Sequence, residues 1–210
     1  AIGVNSLYRG AAQKTVAIGY ETGRYATGSF NTFVGAQAGV GGTTSAPYSS
    51  GYNNTALGYQ ALTSFTTAAN NVAIGYKSLY SMTTGNLYNT AVGSFALSGT
   101  TSGGSNVALG YSALQSNTTG ANNIAIGRQS LGTSTTAGNN VMIGFMSGND
   151  VTTGGYNVGV GGSTLSNVTT GNSNIGIGYS AGSDITSGYR NLMFGYNAEP
   201  LAGDAVNQIV

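Results

Sequence analysis

Asn123-Ile124-Ala125-Ile126-Gly127-Arg128-Gln129-Ser130-Leu131, followed by Gly132-Thr133-Ser134-Thr135-Thr136-Ala137-Gly138, is one unit of a repeat that runs through the chain. In Ile124-Ala125-Ile126 the two β-branched residues share one side of an extended segment and the alanine takes the other. The same alternation recurs in Val72-Ala73-Ile74, Thr90-Ala91-Val92, Val107-Ala108-Leu109, Val141-Met142-Ile143, Val158-Gly159-Val160 and Ile175-Gly176-Ile177. A glycine closes each phrase, at Gly3, Gly19, Gly35, Gly58, Gly75, Gly93, Gly110, Gly127, Gly144, Gly161, Gly178 and Gly195. Of the eleven intervals between these glycines, seven are 17 residues and the others are 16, 16, 23 and 18. A period this short and this regular predicts an all-β, parallel β-solenoid of about twelve coils, one coil per repeat. At about 4.8 Å per coil the rod is roughly 55–60 Å long.

Each column of the stack then has an address. The Val, Ile and Leu column is expected to fill the coil, and the Ala, Gly or Met column to let another backbone come close. A second short strand is expected after the glycine, often led by an aromatic as at Tyr59, Tyr76, Tyr111, Phe145, Tyr179 and Tyr196. That aromatic column reads as a structural ladder, with a sugar-binding stripe as the competing reading. Thr-Thr-Gly and Asn-Asn, as in Thr118 to Asn123, supply corner chemistry through positive φ and short side-chain bonds to backbone. The asparagine four residues before each glycine, at Asn71, Asn89, Asn106, Asn123, Asn140, Asn157 and Asn174 among others, reads as a stacked structural ladder.

Composition bounds the function. Charged residues make up 5 % of the chain, net charge is +1, and the six cations form no cluster, which argues against a nucleic-acid partner. The absence of cysteine and histidine removes disulfides, thiolate chemistry, structural zinc and a serine triad. No periodic aspartate supports a calcium β-roll. The five acids, Glu21, Asp150, Asp184, Glu199 and Asp204, include no close pair, so the chain is expected to be no enzyme and to carry no cofactor or metal. No apolar run approaches a membrane span. Ice binding is disfavoured because adjacent threonines in an extended segment point to opposite sides.

A coil of this size encloses a thin core, and so few charges leave apolar faces on a lone rod. Three chains around one axis would bury them, so a homotrimer is expected, with the small-residue columns facing the partner chains. Residues 1–198 read as the solenoid and 199–210 as a transition toward a downstream domain. The chain begins inside a repeat, as a piece of something longer would. The 23-residue interval between Gly35 and Gly58 places an insertion at 40–52, where Pro47, Tyr48 and Tyr52 are candidates for a receptor contact or a lateral docking point, a longer solvated corner being the alternative.

The phrase Asn-Val-Ala-Ile-Gly-Tyr-x-Ser-Leu, as at Asn71 to Leu79, resembles the head repeat of YadA-like trimeric adhesins. The variant Thr-Thr-Gly-x-Asn-Asn, at Thr118 to Asn123, is similar to repeats of bacteriophage tail fibres, and Asn207-Gln208-Ile209-Val210 resembles the run leading to a self-cleaving chaperone domain in such fibres. The resemblance implies a trimeric left-handed parallel β-roll. It further implies a structural and adhesive tail-fibre segment of a virion, aiding host attachment through a host surface glycan or protein receptor. The alternative is the head or stalk of a bacterial trimeric autotransporter adhesin, displayed on the cell surface.

Overall fold

A computed structural model describes residues 1–8, 13–42, 48–85 and 87–210. Eleven three-residue strands follow one another: β1 (Val16–Ile18), β2 (Thr32–Val34), β3 (Thr55–Leu57), β4 (Val72–Ile74), β5 (Thr90–Val92), β6 (Val107–Leu109), β7 (Ile124–Ile126), β8 (Val141–Ile143), β9 (Val158–Val160), β10 (Ile175–Ile177) and β11 (Leu192–Phe194). They pair in sequence order, all parallel, in a single sheet. The register never slips, so Ala108 meets Ala125 and Ala125 meets Met142. The chain is therefore a parallel β-solenoid of about ten turns. The first phrase, at Ala1 to Gly3, adds only an isolated bridge from Ile2 to Ile18, and residues after Pro200 bridge back through Val206 and Ile209.

The faces of the strands are the reverse of the expectation. Ala17, Ala56, Ala73, Ala91, Ala108 and Ala125 are fully buried inside the coil, whereas the β-branched residues on either side of them point outward. The reason is volume. Seventeen residues close a narrow loop, and the central strand residue meets the turn across from it at side-chain contact distance. A Cβ added at Gly159 would lie 2.9 Å from Thr164 Cγ2 in its own turn and 2.9 Å from Ser147 Oγ in the turn of the preceding coil. A Val or Ile pair pointing inward has no room there.

The interior is filled by complementary sizes six residues apart. From β4 to β7, where the strand centre is alanine, the turn supplies a buried leucine: Ala73 with Leu79, Ala91 with Leu97, Ala108 with Leu114, Ala125 with Leu131. Ala17 is followed instead by Gly23, whose space Leu7 and Phe33 take up. At Phe33 and Met142 the centre is large, and the turn supplies Gly39 and Gly148. A Cβ on Gly39 would lie 2.5 Å from the Phe33 ring, and one on Gly148 2.8 Å from Met142 Sδ. Close packing across so thin a core leaves no slack for two large or two small residues in one coil unless a neighbour intervenes. At Gly182, which follows Gly176, Ile185 and Leu165 take up the space.

The second strand expected after the glycine does not form. Positions two and four beyond it are left-handed, as at Lys77 (φ 52°) and Leu79 (φ 48°), or Ser112 (φ 55°) and Leu114 (φ 50°). Alternating signs of φ wind the chain into consecutive tight turns, which an extended strand cannot do. The glycine has its own necessity. Gly127 has φ +127°, and a Cβ there would lie 2.4 Å from the carbonyl oxygen of Gly144 in the next coil. No other residue permits that backbone conformation and that stacking distance together.

The asparagine ladder forms as expected and is buried. Asn140 donates its backbone N–H and its side-chain Nδ2 to Asn123 Oδ1, at 3.0 and 3.2 Å. Asn123 in turn donates to Asn106 Oδ1 from the same two groups. Its remaining amide proton goes to the Ala137 carbonyl at 2.8 Å, so every side-chain group is satisfied without water. Equivalent bonds join Asn54, Asn71, Asn106, Asn157, Asn174 and Asn191 to their predecessors.

The threonine pairs Thr118-Thr119, Thr135-Thr136 and Thr169-Thr170 occupy a bend, not an extended segment, and both members face solvent. The geometric premise for opposite-facing threonines therefore fails. At this place the threonine hydroxyl donates to the carbonyl of the next coil, as from Thr118 to Thr135 at 3.0 Å and from Thr135 to Thr152 at 3.2 Å.

Candidate functional site

The outward columns make one surface. Flanking each buried strand centre, residues such as Leu57, Leu109, Ile124, Val160 and Ile177 stand exposed along the sheet, Leu109 with 45 % of its surface accessible. They exist on this face because the interior accepts only the centre residue, and the register then aligns them coil after coil. Beside them runs the aromatic column, exposed from Tyr59 to Tyr196. Among the described residues of the chain nothing covers these apolar columns. Small-residue columns, expected to meet partner chains, are inside the coil and unavailable.

The aromatic column is a ladder only in parts. Tyr59 stacks on Tyr76 at 5.8 Å and Tyr179 on Tyr196 at 5.6 Å. Between them Ser94, Arg128 and Gly162 interrupt the series. Phe95, one place later in its coil, fills the first gap edge-on, 5.0 Å from Tyr76 and 6.2 Å from Tyr111. At the second gap the Arg128 guanidinium lies over Phe145 at 5.5 Å.

Of the insertion candidates, Pro47 falls outside the described residues. Tyr48 is half-buried and stacks on Tyr25 at 6.2 Å, while the exposed Tyr52 stands at the re-entry into the regular coil. Tyr25 also carries the Arg24 guanidinium at 5.1 Å, and Arg24 pairs with Glu21. Glu21 accepts a bond from Gln37, which accepts one from Gln60, so this end of the rod has a polar side-chain ladder that sequence reading missed. Gln and Glu recurring two residues after Gly19, Gly35 and Gly58 were the available signal.

The acids are engaged as structural acceptors where their bonds are described. Glu199 accepts from Ser183 N–H, Ser183 Oγ and Asp184 N–H at 2.6–3.0 Å. Asp150 accepts from Asn149 Nδ2 at 2.6 Å. Among the described residues no three or more of Asp, Glu, His and Cys gather where a metal ion would be held, and no helix is long and apolar enough to cross a membrane. Comparison of the chain with protein-family models, with curated proteins and with solved structures returns no match.

Proposed function

We propose that the chain is a structural and adhesive fibre segment, a homotrimeric left-handed β-roll that forms part of a phage tail fibre and contributes to attachment to a host cell. One observation carries the reading: the outward Val, Ile, Leu and aromatic columns lie in register along the whole sheet and have no partner within the chain. A face of that kind is stable in water when it packs against copies of itself. Three copies about one axis cover it and leave the turns on the outside of the rod, where a receptor would be met. The repeated Asn-Val-Ala-Ile-Gly phrase and its likeness to tail-fibre and adhesin repeats point the same way. The solenoid also suits the task mechanically, since a uniform stack transmits load along a hydrogen-bonded ladder.

Light scattering on the purified chain tests the assembly: a mass three times 20.9 kDa is expected. Leu109→Lys, which places a charge on the outward face without touching the interior, is expected to reduce it to the single-chain mass. A wild-type protein that stays monomeric at micromolar concentration refutes the trimer. Adherence of the fluorescently labelled chain to a panel of bacterial strains tests attachment, and uniform failure to adhere refutes that part.

A further inference from the structure

The turns of three consecutive coils border an open hollow of about 400 Å³, lined by Lys77, Tyr80, Ser81, Phe95, Ser98, Gly99, Gln115 and Ser116. Its origin is legible residue by residue. Five and six places beyond the repeat glycine stand Tyr80-Ser81 in one coil, Ser98-Gly99 in the next and Gln115-Ser116 in the third. The middle pair is small, so a gap opens between the bulkier Tyr80 and Gln115. The size falls within the range of small-ligand sites.

The gap is chemically equipped. Phe95 is wedged edge-on between Tyr76 and Tyr111, which fixes its orientation. The Lys77 ammonium lies 5.3 Å from the Tyr80 ring centre and 5.4 Å from that of Tyr76, and no carboxylate is among the lining residues. The one ion pair among the described residues is at Arg24, far from here in sequence. At matching places in other coils, hydroxyls are used inside the protein: Thr63 Oγ1 donates to the Gln37 carbonyl at 3.2 Å, Thr133 Oγ1 to that of Asn149 at 2.7 Å, and Ser183 Oγ to Glu199 at 2.6 Å. Among the described residues, the side chains of Ser81, Ser98, Gln115 and Ser116 make no such bond.

We propose that this hollow binds a carboxylated sugar residue of a surface glycan. Tyr80, which lies outside the aromatic column, offers an apolar surface to the C–H face of a pyranose ring, the free hydroxyls and amide meet its hydroxyl groups, and Lys77 pairs with its carboxylate. An unneutralised cation beside aromatic rings favours an anionic sugar over a neutral one. The proposal rests on the attachment reading, for which it names a site and a ligand class. A single site of this depth binds weakly, and repetition of it in an assembled rod supplies avidity.

Saturation-transfer NMR on the intact chain tests it, with a uronic-acid oligosaccharide, a sialylated oligosaccharide and a neutral glucose oligomer as probes. Binding of at least one acidic probe is expected, about tenfold tighter than the neutral one, and the two acidic arms identify the source. Lys77→Gln is expected to abolish that preference. Ser98→Tyr, which repeats the residue that the preceding coil carries at the same place, is expected to fill the hollow and end binding while the circular dichroism and mass remain wild-type. Should Ser98→Tyr misfold, exposed Gln115→Ala is expected to weaken binding severalfold. Absence of binding by either acidic probe, equal binding of acidic and neutral probes, or indifference to these substitutions overturns the proposal. Adherence to cells that persists in Lys77→Gln refutes this site while sparing the attachment reading; sugar binding without adherence does the opposite.

Discussion

Asn123→Ala separates a ladder that holds the coils in place from one that merely decorates them. The side chain fills four bonding roles: its Oδ1 accepts the Asn140 backbone N–H and Nδ2, and its Nδ2 donates to Asn106 Oδ1 and the Ala137 carbonyl. After truncation two neighbours keep a partner, because Asn106 Oδ1 still receives the Asn123 N–H and Asn140 Nδ2 still reaches the Gly154 carbonyl. Two do not. The Asn140 N–H and the Ala137 carbonyl are left without these bonds at a fully buried site. At about 1–3 kcal/mol for each stranded buried group, the loss is about 2–6 kcal/mol. A chain of this length converts that to a fall in melting temperature on the order of 10 °C.

Asn123→Asp sharpens the test because it keeps the shape. It retains the acceptor toward Asn140 but turns an oxygen toward Asn106 Oδ1 and the Ala137 carbonyl, and it buries a charge. At neutral pH it is expected to be worse than the alanine variant. Burial raises the folded-state pKa of the introduced carboxyl above its unfolded value of about 3.9, so the penalty grows as pH rises through that value and shrinks as pH falls toward it. Thermal and urea denaturation read the stability, and amide exchange at Asn140 reads the local opening. The exposed neighbour Asn122→Ala, whose left-handed φ of 59° disfavours alanine, is the control and is expected to cost only about 1 kcal/mol. If Asn123→Ala is no more harmful than Asn122→Ala, or Asn123→Asp matches wild type at neutral pH, the ladder is not what pins the corners.

Three further outcomes follow from the same geometry. Gly127→Ala meets both a strained φ and a carbonyl 2.4 Å away, whereas Gly195→Ala has φ +131° but nothing within 4 Å. The first is expected to prevent soluble folding or lower stability by several kcal/mol, and the second to cost about 1–3 kcal/mol, as judged by urea midpoints. Ala125→Met is expected to overpack its coil by about 1–3 kcal/mol and Leu131→Gly to hollow it by about 2–5 kcal/mol. The double variant reproduces the Met142 and Gly148 pairing one coil further on, so a double-mutant cycle should recover at least about 1 kcal/mol. Leu109→Lys is expected to change the mass in solution while moving the chain's own stability by no more than about 0.5 kcal/mol, because the residue faces outward.

The order of coils, the position of every strand from β4 to β10 and the role of the asparagines were determined by sequence alone. Each is a local statement repeated in phase: Val72-Ala73-Ile74 must be extended and period-two, and an asparagine recurring at one place must stack on itself once the coils stack. The hollow was also written in the sequence, as Ser98-Gly99 between Tyr80-Ser81 and Gln115-Ser116, but a gap has meaning only after the coils are aligned. What tertiary structure alone decided was which side of the strand is inside. Alternation separates Ile124 and Ile126 from Ala125 without saying which faces the core, and ordinary hydrophobicity favours the isoleucines. The closed coil overrules it, because Leu131 already occupies the interior from the opposite turn and leaves room for one methyl. The turns were hidden for a related reason: a leucine at φ 51° contradicts its local preference and persists because burial in that narrow core holds it there.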